Sequence, residues 1–141
     1  MCIRDSLDTI QATTAKALEA HGAKPWVANS VAHAVRVAEA YGNKICGLFY
    51  LQSYCSQLQV GRVKGDVEPE VHQPKPASVV VDAKLGFAQA AFSRGLDTAL
   101  AAAKTNGVAT LAICHSHTCT SMGYFTEQIA VSYTHLTLPT N

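Results

Sequence analysis

The chain has 141 residues, 11 of them basic and 10 acidic, for a formal net charge of +1. A charge this balanced weighs against a nucleic-acid-binding surface. Hydrophobic residues make up 48%, and no apolar run approaches the roughly eighteen residues of a membrane span, so a soluble domain without a membrane partner is expected.

Residues 1–5, Met-Cys-Ile-Arg-Asp, can be encoded by ATGTGTATAAGAGAC, and the reverse complement of that string encodes Val131-Ser132-Tyr133-Thr134-His135. The string resembles the transposon end used to build sequencing libraries, and Leu136 to Thr140 resembles translated adapter. Residues 1–6 and 131–141 are therefore expected to be artefact and are set aside, as fusion scars are. What is left is expected to be a fragment of a longer protein. Removing Arg4 and Asp5 leaves the net charge at +1. Cys46, Cys55, Cys114 and Cys119 follow no disulfide-framework or C-x-x-C spacing, and free thiols suit a cytoplasmic setting.

Asp8 is the expected N-cap of a first helix running to about His21. Pro25 suits position N1 of a second, which passes through Val31, Val35 and Ala38 to Tyr41 and is closed by Gly42. Leu48, Leu51, Cys55 and Leu58 form one apolar stripe, which predicts a third helix. Residues 61–76, with prolines at 69, 74 and 76, predict a connection holding one extended segment. Val79 to Asp82 predicts a strand, and Ala88 to Asn106 an alanine-rich helix interrupted at Gly95. Asn106-Gly107 reads as a helix C-cap, Val108 to Ile113 as a buried strand, and Gly123 to Gln128 as a last helix. The expected organisation is a helical part at 7–65, a connection at 66–78, and the incomplete start of a cofactor- and substrate-binding domain at 79–130. The fold class is mixed α/β (α+β): a helical hairpin and third helix, then a mixed or mostly antiparallel sheet.

Chemistry is expected at Cys114-His115-Ser116-His117-Thr118-Cys119, where polar and soft side chains gather at a strand end. In an extended chain His115, His117 and Cys119 share one face. Imidazole and thiolate are usual zinc ligands, but a single cluster with this spacing does not match a structural zinc site, so no metal is assigned. Cys55 lies in the stripe of its helix and is expected in the core. Tyr50 and Tyr54, one helical turn apart, point their hydroxyls to one side.

Two blocks carry a resemblance. The first is Gly47-Leu48-Phe49-Tyr50-Leu51-Gln52-Ser53-Tyr54-Cys55, with Leu58, Gly61-Arg62-Val63 and Gly65. The second is Val81-Asp82-Ala83 with Gly86-Phe87-Ala88-Gln89, Asn106-Gly107-Val108-Ala109, and His115-Ser116-His117 through Gly123-Tyr124-Phe125-Thr126. In order and spacing this set resembles the N-terminal part of the malate/L-lactate dehydrogenase family, which also holds ureidoglycolate dehydrogenases and diketogulonate and piperideine-2-carboxylate reductases. The resemblance implies an NAD- or NADP-dependent oxidoreductase, homodimeric when full length. Such an enzyme moves a hydride between nicotinamide and a small 2-hydroxy or 2-oxo acid. It also implies a sheet unlike the dinucleotide fold, with most cofactor contacts beyond Ala130.

The family's first block usually begins Ser-His-Gly, its histidine acting as proton donor, with a substrate-holding arginine four residues on. Here those positions read Ile45-Cys46-Gly47 and Tyr50. Where the second block usually carries His-Phe-Gly, this chain has Thr118-Cys119-Thr120. Acid–base work is therefore expected at His117 or His115, with Cys46 as a further candidate donor, and Tyr50, Tyr54, Ser116 and Thr118 lining the substrate pocket. The alternatives are a non-catalytic family member that binds a small acid or nucleotide, and a zinc-binding protein.

Overall fold

The computed structural model describes residues 6–117 and 119–132. Three helices come first, α1 (Leu7–Ala20), α2 (Pro25–Ala40) and α3 (Leu51–Gln59), the last entered through a 3-10 turn at Leu48–Tyr50. They are followed by β1 (Glu70–Lys75), β2 (Ser78–Asp82), α4 (Ala88–Asn106), β3 (Thr110–Cys114) and α5 (Met122–Ser132).

Helices α1 and α2 form the expected hairpin. Pro25 begins α2 as anticipated, but Ser6 caps α1, its side chain accepting from Thr9 N–H at 3.1 Å. Asp8 lies inside the first turn, where a carboxylate favours the helix dipole, and it pairs with Arg36 at 3.4 Å. Small residues let α2 be covered on two sides. Val27, Ala28, Val31 and Val35 join a core with Leu18 of α1 and Tyr54, Cys55 and Leu58 of α3. Ala34 meets Phe92, Tyr124 and Phe125 of α4 and α5. Burying Leu18 or Val31 stabilises the fold by about 1.5–3 kcal/mol each. The stripe of the third helix is buried from Tyr54 to Leu58 but not at its start, where Leu48 is in the 3-10 turn and exposed.

The sheet is mixed, in the order β1-β2-β3. Strand β1 is the extended segment expected in the connection, pairs antiparallel with β2, and is exposed throughout. Its Pro74 suits an edge, where a missing N–H costs least. Strand β3 pairs parallel with β2 after the α4 crossover, with Asp82 opposite Cys114. The expected buried strand begins two residues late and is only half covered, with Val108 exposed. The cause is topological, since among the described residues β3 pairs on one side only. Gly107 closes α4 at φ 80° as the Asn-Gly signal anticipated.

Helix α4 is not interrupted at Gly95. It continues through it, and the missing side chain lets the helix lie directly on the sheet: a Cβ there would stand 2.5 Å from Val81 Cγ2 and 2.9 Å from Leu111 Cδ1. No described helix is long and apolar enough to cross a membrane.

Candidate functional site

Strands β2 and β3 end together, and both chains then turn through left-handed backbone, at Lys84 (φ 50°), Leu85 (φ 67°) and His115 (φ 48°). They stay zipped as they turn: Leu85 N–H donates to His115 O at 2.7 Å and His117 N–H to Gly86 O at 2.8 Å. The left-handed residue breaks the two-residue alternation, so His115, His117 and Cys119 do not share a face. The single-face expectation fails for that reason.

His115 turns outward, 66% exposed in its side chain, and its Nδ1 meets Asp82 Oδ1 at 3.1 Å. Ser116 and Cys119 line an apolar groove with Phe92, Ile113, Met122 and Phe125. Thr118 lies outside the described residues. His117 turns inward, its ring edge-on to Tyr54 at 6.1 Å and to Phe87 at 6.0 Å.

The structure thus divides the anticipated residues and gathers Cys46, Tyr50 and His117 around the buried phenol of Tyr54. Tyr54 is 1% exposed. Its hydroxyl is 3.0 Å from Thr120 Oγ1, and its ring packs against Tyr50 at 5.1 Å and Phe87 at 5.4 Å. Burial pushes the phenol up to about 12; the hydrogen bond with Thr120 and the approach of the Gln89 amide oppose the rise, and the nearby Tyr50 and Cys46 add to it. Tyr54 is therefore a neutral hydrogen-bonding group at physiological pH, not a proton source.

His117 is shifted the other way. Burial, and secondarily the Arg62 cation, hold its imidazole below the ordinary histidine value, so it is unprotonated at neutral pH. Its Nε2 is buried without a hydrogen-bond partner. Gln89, fully buried in the first turn of α4, lies against the Tyr54 hydroxyl, yet neither amide atom completes a close hydrogen bond. Buried polar atoms are nearly always paired, so two such groups in side chains that both neighbour Tyr54 mark a place where further polar atoms would be accommodated.

Four contributors escaped the sequence reading: Gln89, Thr120, Arg62 and Glu39. Gln89 and Arg62 stood inside the quoted blocks, Gln89 as the polar residue of an apolar run. Glu39 had no sequence signal. Its Oε1 accepts from Leu48 N–H at 2.8 Å, which fixes the turn carrying Cys46 and Tyr50. Gly47 permits this approach, because a Cβ there would be 2.2 Å from the same oxygen.

A family model described as malate/L-lactate dehydrogenase matches residues 6–132. The chain is 33% identical over 115 residues to a Delta(1)-pyrroline-2-carboxylate/Delta(1)-piperideine-2-carboxylate reductase of Pseudomonas putida, covering 82% of this chain and 34% of that protein. It is 34% identical over 112 residues to a (2R)-3-sulfolactate dehydrogenase (NADP(+)) of Chromohalobacter salexigens, covering 79% of this chain and 33% of that one. Among solved structures it superposes on delta1-piperideine-2-carboxylate reductase from Pseudomonas syringae with a TM-score of 0.77 at 34% identity, over 79% of this chain and 34% of that one. Malate dehydrogenase from Entamoeba histolytica gives a TM-score of 0.84 at 21% identity, over 91% and 36% of the two chains, a likeness of fold. The chain spans about a third of the length of the curated relatives it matches. With the family match across nearly all its length, the chain belongs to the malate/L-lactate dehydrogenase family.

Proposed function

We propose that the whole protein is an NAD(P)-dependent oxidoreductase that moves a hydride between nicotinamide and C2 of a small 2-hydroxy, 2-oxo or cyclic 2-imino acid. Homodimeric assembly in the cytoplasm belongs to the same reading. The observation that carries it is the inward His117, unprotonated at neutral pH and near the Arg62 cation, within the Tyr54 cluster.

Each residue then has a role its environment suits. In the oxidative direction His117 accepts the proton of the substrate hydroxyl as the C2 hydride departs; in the reductive direction it returns a proton to the oxygen or imine nitrogen. Arg62 is exposed and provides a cation for the substrate carboxylate, a task the family's usual arginine cannot perform where this chain has Tyr50. Tyr54 and Tyr50 supply hydroxyls, and Cys46 lines the pocket where the family's histidine usually stands.

The residues present fit the polar end of the cofactor. Gln89, buried with both amide atoms incompletely bonded, offers a donor and an acceptor that match the hydrogen-bonding needs of a carboxamide. When bound, the nicotinamide supplies or receives the hydride.

The test is the loss of NADH and NADPH absorbance by the protein from the full reading frame, against a panel of 2-oxo acids and cyclic imino acids. Turnover with one class supports the reading and identifies the substrate. Folded protein silent with both cofactors overturns it and leaves a small-acid or nucleotide-binding protein without redox activity.

A further inference from the structure

The outward side of the same strand ends holds a second group of residues, separate from the His117 cluster. Asp82 and Cys114 are register partners in the parallel pair of β2 and β3, so their side chains leave the same face of the sheet. His115 follows Cys114 and would face the other way in a continuing strand. Its left-handed backbone, φ 48°, swings the imidazole back to Asp82 Oδ1 at 3.1 Å. Left-handed backbone is costly for a residue with a Cβ and tends to persist where the surroundings require it.

We propose that Asp82, Cys114 and His115 form a binding site for a zinc-like divalent cation. A carboxylate, a thiolate and an imidazole suit Zn²⁺ and disfavour the hard cations Mg²⁺ and Ca²⁺. The three ligand atoms lie within 4.8 Å of one another. At Zn–O, Zn–N and Zn–S bond lengths, tetrahedral neighbours stand about 3.3–3.6 Å apart, so closing the site takes a side-chain movement of about 1 Å. The partly exposed side chains have room for it, and the exposed His115 leaves the fourth position to water. The Cys114 thiol, which points to Val81 O at 3.6 Å, gives up that contact and releases its proton to solvent.

The surrounding charge suits a dication. Lys84 is the nearby cation, and its ammonium is held by Glu70. Once the thiolate forms, Asp82, Glu70 and Cys114 outweigh Lys84. Asp82 Oδ1 already accepts from Lys84 N–H at 2.8 Å, a second contact that orients the carboxylate.

The experiment is titration of the chelator-washed protein from the full reading frame, its fold checked by circular dichroism, with Co²⁺ and then Zn²⁺. The expected result is one Co²⁺ per chain, with a near-ultraviolet thiolate-to-cobalt band and strong visible tetrahedral bands, both bleached by Zn²⁺. Cys114→Ser abolishes the thiolate band. Asp82→Asn and His115→Ala retain that band at high Co²⁺ while weakening binding by more than the roughly 10–100-fold cost of losing a supporting group; a retained band also distinguishes ligand loss from misfolding. Cys55→Ser and Cys119→Ser bind as the parent does. The proposal is overturned if the parent chain shows no thiolate band, or if the band survives Cys114→Ser. It stands apart from the hydride chemistry, and neither result bears on turnover.

Discussion

Replacing Gly95 with alanine sets two effects against each other, and the structure decides between them. In an exposed helix the change would stabilise by about 1 kcal/mol through helix propensity. Here the new methyl would stand 2.5 Å from Val81 Cγ2 and 2.9 Å from Leu111 Cδ1. Leu111 can rotate, being only half-buried. Val81 cannot yield cheaply, because it is fully buried and its branched side chain has few χ1 alternatives. Overpacking of this kind costs about 1–3 kcal/mol, and contact with an immovable group belongs at the upper end. The net loss is then about 2 kcal/mol, which for a domain of this size lowers Tm by about 8 °C. Urea and thermal unfolding followed by circular dichroism measure it. A Gly95→Ala protein as stable as the parent, or more so, would refute the seating of α4 on β2. A double-mutant cycle with Val81→Ala adds a sign test: removing Cγ2 should relieve the clash, so the pair must lose less than the sum of the singles.

Further consequences concern the site and the first helix. His117→Ala in the full-length enzyme should lower turnover by about 10²–10⁴-fold, and unchanged turnover removes His117 from the acid–base role. Arg62→Ala should raise the His117 pKa by removing a neighbouring cation, and should raise KM for the acid substrate; proton NMR and steady-state kinetics check the two effects separately. Folding holds both His33, on α2 against the Tyr124 ring, and His117 below their ordinary value, chiefly by burial, so the unfolded chain binds more protons below about pH 6.5. Stability should therefore fall as pH drops from about 6.5 through the lower folded values, and His117→Gln should flatten that slope in urea midpoints. The lowered Asp82 and Glu70 values act in a separate, more acidic window. Ser6→Ala should cost about 1 kcal/mol by removing the cap of α1, even though Ser6 falls within the residues 1–6 expected to be adapter-derived; unchanged stability would mean that the cap carries none of that helix.

What could be read in advance was what local chemistry dictates. Pro25, the Asn106-Gly107 stop, the β-branched run at Val79 and the stripe through Cys55 and Leu58 each specify their own element, and each element formed. Cys46, Tyr50, Tyr54 and His117 were also identifiable one at a time. Their meeting was not, because it depends on how α3 lies against the ends of two strands. Gly95 shows the same limit in another form: helix propensity alone treats a mid-helix glycine as a defect, whereas close approach to Val81 makes it a fitting. The sharpest case is the pair of histidines two residues apart. Strand periodicity puts them on one face, but a single residue at φ 48° sends His115 out to Asp82 and Cys114 and turns His117 inward beside Tyr54. One backbone angle thus divides one sequence motif into two chemically different sites, one holding an uncharged imidazole among phenols and the other a thiol and carboxylate open to solvent. Any substitution that restores extended backbone at His115 should disturb both together, whereas side-chain changes at either histidine should act on one alone.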